Sequence, residues 1–377
     1  MQRLTFELVQ HTPIIHFQAN DRGATLRASE VKPKLDKYLM QKFEKEGFYR
    51  SQIEKWSIPG QEALNYKLSF RLKEGASMEY YLPVSNMSKK NIEELQKRKE
   101  LKDIKILSPS PFFANEEKLK KGQEKWAELK LAILSKENIV GEIFSKYEDL
   151  CDFIKLHLED FFLLHNFGMR QTKGFGSYTI SSIPGMRIAK SQRDIAQRMK
   201  DIGVVDCLES KSNDVRYQFG QIAKFHNKIK TGARGTISEL RYYFHEKKIE
   251  WEKILELEML NRLQESNSRI FPVRYIRALL GLHEHFEFPN GRNNKKVIRV
   301  SHDNIDRFAS PITYKPIGGI IYIILAEEIP SEMLGAEFIF STDSVYEQSI
   351  LTPDTFDLAD FLSFIQDDNL VDVKELL

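Results

Sequence analysis

A broad apolar stripe in the middle of the chain restricts its fold more than any other feature. In "SKYEDLCDFIKLHLEDFFLLHNFG", Leu150, Phe153, Ile154, Leu158, Phe161, Phe162 and Leu164 recur at helical spacing and stop near Gly168, a C-cap signal. A helix with so wide an apolar face needs another layer to cover it. The layer is a sheet: Leu4, Phe6 and Leu8 alternate with Thr5 and Glu7, the period of a strand with one buried face, and "SYTISSI" follows the helix as a further strand.

The remaining elements extend this plan. Val31, Leu35, Tyr38, Leu39 and Phe43 predict a helix in which Pro33 belongs to the first turn. "NYKLSFRL" and "SMEYYLPV" alternate around "KEGA" and predict a hairpin. Two charged helices are expected over Ser88 to Leu101 and Glu116 to Leu134, parted by the prolines of "SPSPFF". The order βα, ββ, helical insertions, αβ is that of an α+β, ferredoxin-like (RNA-recognition-type) sheet with helices on one face. Three regions are expected: residues 1–185 as this domain, 186–270 as a mainly helical subdomain, and 271–377 as a C-terminal α+β domain. In the last, "KVIRVS", "PITYKPI", "GGIIYIILAEEI" and "AEFIFS" return to strands and suggest a second unit on a related plan, without a clean sequence repeat.

Charge bears on partners. Across 377 residues, 56 Lys and Arg against 54 Asp and Glu leave a net +2, so no bulk field attracts polyanions and any nucleic-acid affinity must come from local patches. The start "MQRLTFELVQ" lacks the apolar run of a signal peptide and no membrane-length apolar run occurs, so a cytoplasmic chain without membrane contact is expected. Cys151 and Cys207 form neither a disulfide framework nor a zinc pattern and read as reduced packing residues.

One segment combines flexible backbone with positive charge. "FGMRQTKGFGSYTI" holds Gly174 and Gly176, which can adopt positive φ and let another backbone approach, beside Arg170 and Lys173, which offer donors to phosphate. It lacks the P-loop ending and precedes a strand where a dinucleotide fingerprint follows one, so ATP and NAD are disfavoured and no cofactor is implied. The plain alternative is a tight helix-to-strand connection with incidental charge. "GQIAKFHNKIKTGARGTISELRYYF" is a second basic stretch, with Lys224, Lys228, Lys230, Arg234 and Arg241 among Phe225, Tyr242 and Tyr243; it fits stacked bases or a solvated helix with aromatics in the core. His283, Glu284 and His285 do not match a helix-borne zinc pair, His302 and Asp303 could join them only through folding, and no metal site is expected.

The pattern Gly168-x-Arg170-x-x-Lys173-Gly174-Phe175-Gly176-Ser177, between a helix and a strand, resembles the glycine-rich loop of the RAMP superfamily of CRISPR-associated RNA-binding proteins. "HTPIIHF" and "GATLRASEVKPKLDKYL" are similar to that superfamily's first strand and first helix, with Arg27, Ser29 and Lys32 at the helix start and Lys34 close behind. "DRFASPITYKPIGG" resembles a segment of the Cmr-type backbone subunit that caps one end of type III-B effector complexes. The resemblance implies a non-catalytic subunit that follows the backbone of CRISPR RNA or target RNA alongside other effector subunits, with Arg27, Ser29, Lys32, Arg170, Lys173, Gly174, Phe175 and Gly176 at the RNA. Some relatives cleave CRISPR RNA with a histidine near the first strand, which makes His16, with His11 as second candidate, the catalytic residue of an alternative reading as a metal-independent endoribonuclease. A protein-only scaffold in another defence complex is the third reading.

Overall fold

The computed structural model describes residues 2–16, 26–72, 75–84, 89–97, 103–108, 130–210, 212–232, 236–262, 269–290, 294–343 and 347–377. They form two compact units, Met1–Ala223 with Tyr314–Ile324 and Asn369–Leu377, and Lys224–Thr313 with Leu325–Asp368.

The first unit opens with β1 (Gln2–Gln10), β2 (Ile14–Ile15), α1 (Ala28–Lys45), α2 (Arg50–Trp56), β3 (Tyr66–Leu72), β4 (Met78–Pro83), α3 (Lys89–Gln96), β5 (Ile104–Leu107), β6 (Ala132–Ser135) and β7 (Ile139–Ser145). It continues through α4 (Glu148–Leu164), β8 (Tyr178–Ser182), α5 (Gln192–Asp201), β9 (Asp206–Glu209) and α6 (Val215–Lys230), whose end belongs to the second unit. The second unit holds α7 (Glu239–Glu246), β10 (Glu250–Trp251), α8 (Lys253–Met259), β11 (Val273–Arg274), β12 (His285–Asn290) and β13 (Asn294–Ser301). Most of β14 (Ile312–Ile317) and β15 (Ile320–Leu325) lies in the first unit, β16 (Glu337–Thr342), β17 (Glu347–Leu351) and α9 (Leu358–Phe364) in the second, and β18 (Leu370–Asp372) in the first.

Strands β1, β3, β7 and β8 make one sheet in the order β3-β7-β1-β8. With α1 after β1 and α4 after β7, this is the β-α-β-β-α-β succession of a ferredoxin-like sheet. Leu4, Phe6 and Leu8 of β1, Val31, Leu35 and Leu39 of α1 and Ile154, Leu158 and Phe162 of α4 share one core, so both helices cover the same face. Each fully buried side chain of this size stabilises the layer by about 1.5–3 kcal/mol. The sheet leaves a gap at Gly141, opposite Phe6, and the Phe6 ring fills it; a Cβ there would lie 2.2 Å from Phe6 Cζ.

The chain repeats the succession. Strands β9, β14, β15 and β18 form a sheet in the order β14-β15-β9-β18, with α6 after β9 and α9 before β18, the same permutation as in the first sheet. Gly318 and Gly319 make the tight turn between β14 and β15. Beneath this sheet, Ala196 and Met199 of α5 pack with Cys207, Ile317, Tyr322 and Val373. The second unit carries its own antiparallel sheet, β12-β13-β16-β17.

Several local expectations are corrected. β3 and β4 do not pair: β3 joins β7, whereas β4 joins β6 and β5 in a separate sheet, β2-β6-β4-β5. α4 ends at Leu164 rather than near Gly168, with His165 as C-cap in extended conformation. Pro33 is the sixth residue of α1, beyond the first turn. Within the helix expected over 88–101, α3 spans Lys89–Gln96, and residues 88 and 98–101 lie outside the described residues. Residues 116–129 of the other charged helix lie outside the described residues, and its expected end forms β6. Both cysteines are free and buried. No helix among the described residues is long and apolar enough to cross a membrane.

Candidate nucleic-acid interface

The glycine-rich loop between α4 and β8 is clasped from two sides. Its neck closes where Phe167 N–H donates to Gly176 O at 2.9 Å. The segment after β1 grips the inner side: Gly176 N–H donates to Pro13 O at 2.9 Å and Met169 N–H to Ile15 O at 2.8 Å. Thr12 Oγ1 donates to Gly174 O at 2.6 Å and accepts from Ser177 N–H at 2.9 Å. Thr12 and Pro13, within the "HTPIIHF" segment, are therefore the loop's anchor.

The other side is β14. Asn166 Nδ2 donates to Tyr314 O at 2.8 Å and Ser177 Oγ to Pro316 O at 2.7 Å. The buried Lys315 ammonium reaches His165 O at 2.8 Å and Tyr178 O at 2.9 Å. Burial, with Lys34 nearby, holds the Lys315 pKa well below the ordinary lysine range. Tyr314, Lys315 and Pro316 of the C-terminal segment thus meet the loop, while Arg307 and its neighbours belong to the second unit.

This clasp decides which loop residues face outward. Gly174, Phe175 and Gly176 are buried, and Phe175 packs at 4.3 Å between ring centroids from Phe219. Phe175 belongs to a core with Tyr81, Leu107 and Leu134. A Cβ on Gly176 would fall 1.9 Å from Phe167 O, so glycine is required there by close backbone approach as well as by its φ of 66°. The three residues that the resemblance placed at RNA hold the loop in shape. Arg170 and Lys173, partly exposed, occupy the 3-10 turn, with Arg170 itself left-handed at φ 56°. That conformation costs a non-glycine residue about 1–2 kcal/mol and is kept by the surrounding bonds.

Helix α1 contributes two side chains on one face. Glu30 accepts from Gly168 N–H, and Lys34 donates to Asn166 O at 2.9 Å and to Gln171 Oε1. Burial lowers the Lys34 pKa, an effect Glu30 opposes. Lys32 points elsewhere, to Asp36 at 2.6 Å and Leu64 O at 2.9 Å, with its ammonium 4.2 Å from the Tyr66 ring centroid. Arg27 is the N-cap residue of α1 and Ser29 is exposed in its first turn. Lys130 adds a cation, its Nζ 3.9 Å from Met169 Sδ. Glu30 and Lys34 were detectable as an i, i+4 pair beside a basic helix start; Lys130, Asn166 and Lys315 carry no signal in their own neighbourhoods.

His16 follows β2 and is 4% exposed. His11 Nε2 lies 2.8 Å from Thr179 Oγ1, and desolvation, helped by Lys315, pushes its pKa down to about 3, so it stays neutral. The second basic stretch is spent on structure. Lys228 bridges to Asp367 at 2.9 Å, Arg241 stacks 4.6 Å over Trp251, and buried Lys230 donates to Leu280 O at 3.1 Å and Gly281 O at 2.5 Å. Phe225 and Tyr243 are buried, Lys224 and Tyr242 are surface residues of α6 and α7, and Arg234 lies outside the described residues. Among the described residues, no three of His, Cys, Asp and Glu gather as metal ligands. His302 Nδ1 instead accepts the N–H groups of Asn304 at 3.0 Å and Ile305 at 3.1 Å.

Comparison with known proteins identifies the family. Two solved structures are similar to it: Cmr1 from Pyrococcus furiosus in its apo form, 12% identical over 99% of both chains with a TM-score of 0.45, and a chain of the type III-B Cmr-beta complex bound to cognate target RNA. The latter is 16% identical over 48% of this chain and 59% of that one, with a TM-score of 0.27. No curated protein matches the sequence. The family model of the Cmr1 N-terminal domain matches residues 1–233 and that of the Cmr1 C-terminal domain residues 235–375, so the chain belongs to the Cmr1 family and is a Cmr-type RAMP subunit.

Proposed function

We propose that the chain is a non-catalytic RNA-binding subunit of a type III-B CRISPR effector, and that Arg170 and Lys173 hold the RNA backbone. The supporting observation is the clasped loop: the Thr12 hydroxyl and the accepting carbonyls of Pro13, Tyr314 and Pro316 fix a turn whose partly exposed residues include two cations. A rigid cationic turn holds phosphates with little ordering cost on binding. Arg27 and Ser29 at the start of α1 extend the path, Gly174, Phe175 and Gly176 support it from within, and Lys32, turned to Asp36 and Leu64 O, is not part of it. Family membership favours other effector subunits as partners, as does the similar chain's presence in a Cmr-beta complex with target RNA. We also assign the β9 to β18 succession as a second RAMP unit, interrupted by the residues of the second compact unit.

The test is salt-dependent binding of single-stranded RNA by the double variant Arg170→Glu, Lys173→Glu. Loss of two phosphate contacts should flatten the log–log salt slope by about 1.4 and weaken binding at least tenfold at low salt, about 1.4 kcal/mol or more. An unchanged slope would remove the loop from the RNA path. Cleavage of repeat RNA in EDTA that disappears in His16→Ala would replace the non-catalytic reading with the endoribonuclease one.

A further inference from the structure

The second unit contains a preformed cavity of about 310 Å³ at the end of its sheet, where the segment after β13 folds back beside the chain that enters β12. Val300 N–H donates to Glu284 O at 2.9 Å and Leu282 N–H to Phe308 O at 3.0 Å, which seals two walls together. The turn from Ser301 to Ile305 is held by His302 Nδ1. The "DRFASP" motif, which plays no part in the clasp, forms the third wall, with Arg307 and Ala309 exposed at the surface.

The lining combines two chemistries. Leu282, Val300, Phe308 and Phe338 offer an apolar and aromatic interior, while Glu284, Asp306 and Arg307 bring charge to the same small space. An aliphatic or aromatic protein side chain would use the first set and leave the second idle. A nucleotide uses both: its ring enters the apolar part, carboxylates accept from an exocyclic amine, and a guanidinium takes the phosphate. We infer that this cavity receives one unpaired nucleobase bearing an exocyclic amine from the bound RNA, with that nucleotide's phosphate on Arg307. The inference rests on the RNA-binding reading for the source of the base. Uracil, which presents a carbonyl where cytosine presents an amine, is disfavoured by the carboxylates.

The experiment titrates the whole chain with AMP, CMP, GMP, UMP and adenosine by calorimetry, and with single-stranded RNA carrying one 2-aminopurine by fluorescence. The three amine-bearing nucleotides should bind about tenfold more tightly than UMP. Ala309→Trp, at an exposed position, should fill the cavity and abolish both nucleotide binding and the 2-aminopurine signal. Arg307→Gln should erase the advantage of AMP over adenosine. The double variant Arg170→Glu, Lys173→Glu should leave mononucleotide binding intact, which separates failure of this site from failure of the loop. Absent mononucleotide binding, binding indifferent to Ala309→Trp, or preferential uptake of a phenylalanine- or tyrosine-containing peptide would each overturn the inference. So would a cavity that binds free nucleotides while the RNA-borne 2-aminopurine ignores Ala309→Trp.

Discussion

Replacing Gly176 with alanine tests the clasp directly. Two costs add. A non-glycine residue at φ 66° loses about 1–2 kcal/mol. The new Cβ, 1.9 Å from Phe167 O, must also push the neck open, which endangers the 2.9 Å bonds from Phe167 N–H to Gly176 O and from Gly176 N–H to Pro13 O. Buried groups left unpaired cost about 1–3 kcal/mol for each bond lost, so Gly176→Ala should destabilise the first unit by about 3–8 kcal/mol. Gly203 supplies the internal control, since its φ is 90° but nothing lies within 4 Å of an added Cβ. Gly203→Ala should therefore lose only the conformational part, about 1–2 kcal/mol. Urea unfolding followed by near-ultraviolet circular dichroism would measure both. If the two variants unfold at the same denaturant concentration, the loop is not clamped through its neck and the argument for a rigid turn fails.

Other outcomes follow from the same geometry. Phe175→Ala should lower stability by about 3–5 kcal/mol, because it empties a packed position against Phe219, and its RNA affinity should be normal wherever the protein remains folded; a selective loss of RNA binding in folded protein would return Phe175 to the interface. His11 is held down to about 3 in the fold against 6.5 unfolded, so the unfolded chain binds more protons between those values. Its contribution is present in full above pH 6.5 and is lost as pH falls toward 3, so His11→Gln should move the acid-unfolding midpoint to lower pH; a midpoint that stays in place would show that His11 does not drive acid unfolding.

What could be read in advance was what local period encodes. The stripe of α4, the alternation of β1 and the position of β8 after a cationic loop depend on neighbours within a few residues. The partnership of β3 was not readable, because a short Gly-containing connection allows a hairpin with β4 as well as a crossing to β7. What favours β7 is Gly141, which gives the Phe6 ring its space against Phe70. Strand β9 is four residues long inside the region expected to be mainly helical, so period alone gave no reason to place it at the centre of a sheet. At the candidate site, Arg170 and Lys173 stood out by charge. The burial of Phe175 did not, since a glycine-rich connection has the same composition whether open or clasped. Its clasping partners lie far off in sequence, Thr12 at a separation of 162 from Gly174 and Pro316 at 139 from Ser177.

Strand β14 supplies the last-made part of the clasp. The first sheet has all its strands once β8 has left the ribosome, but the bonds from Asn166, Ser177 and Lys315 wait until Tyr314 to Pro316 have emerged. A nascent chain that ends before Tyr314 would hold the glycine loop from the Thr12 and Pro13 side alone.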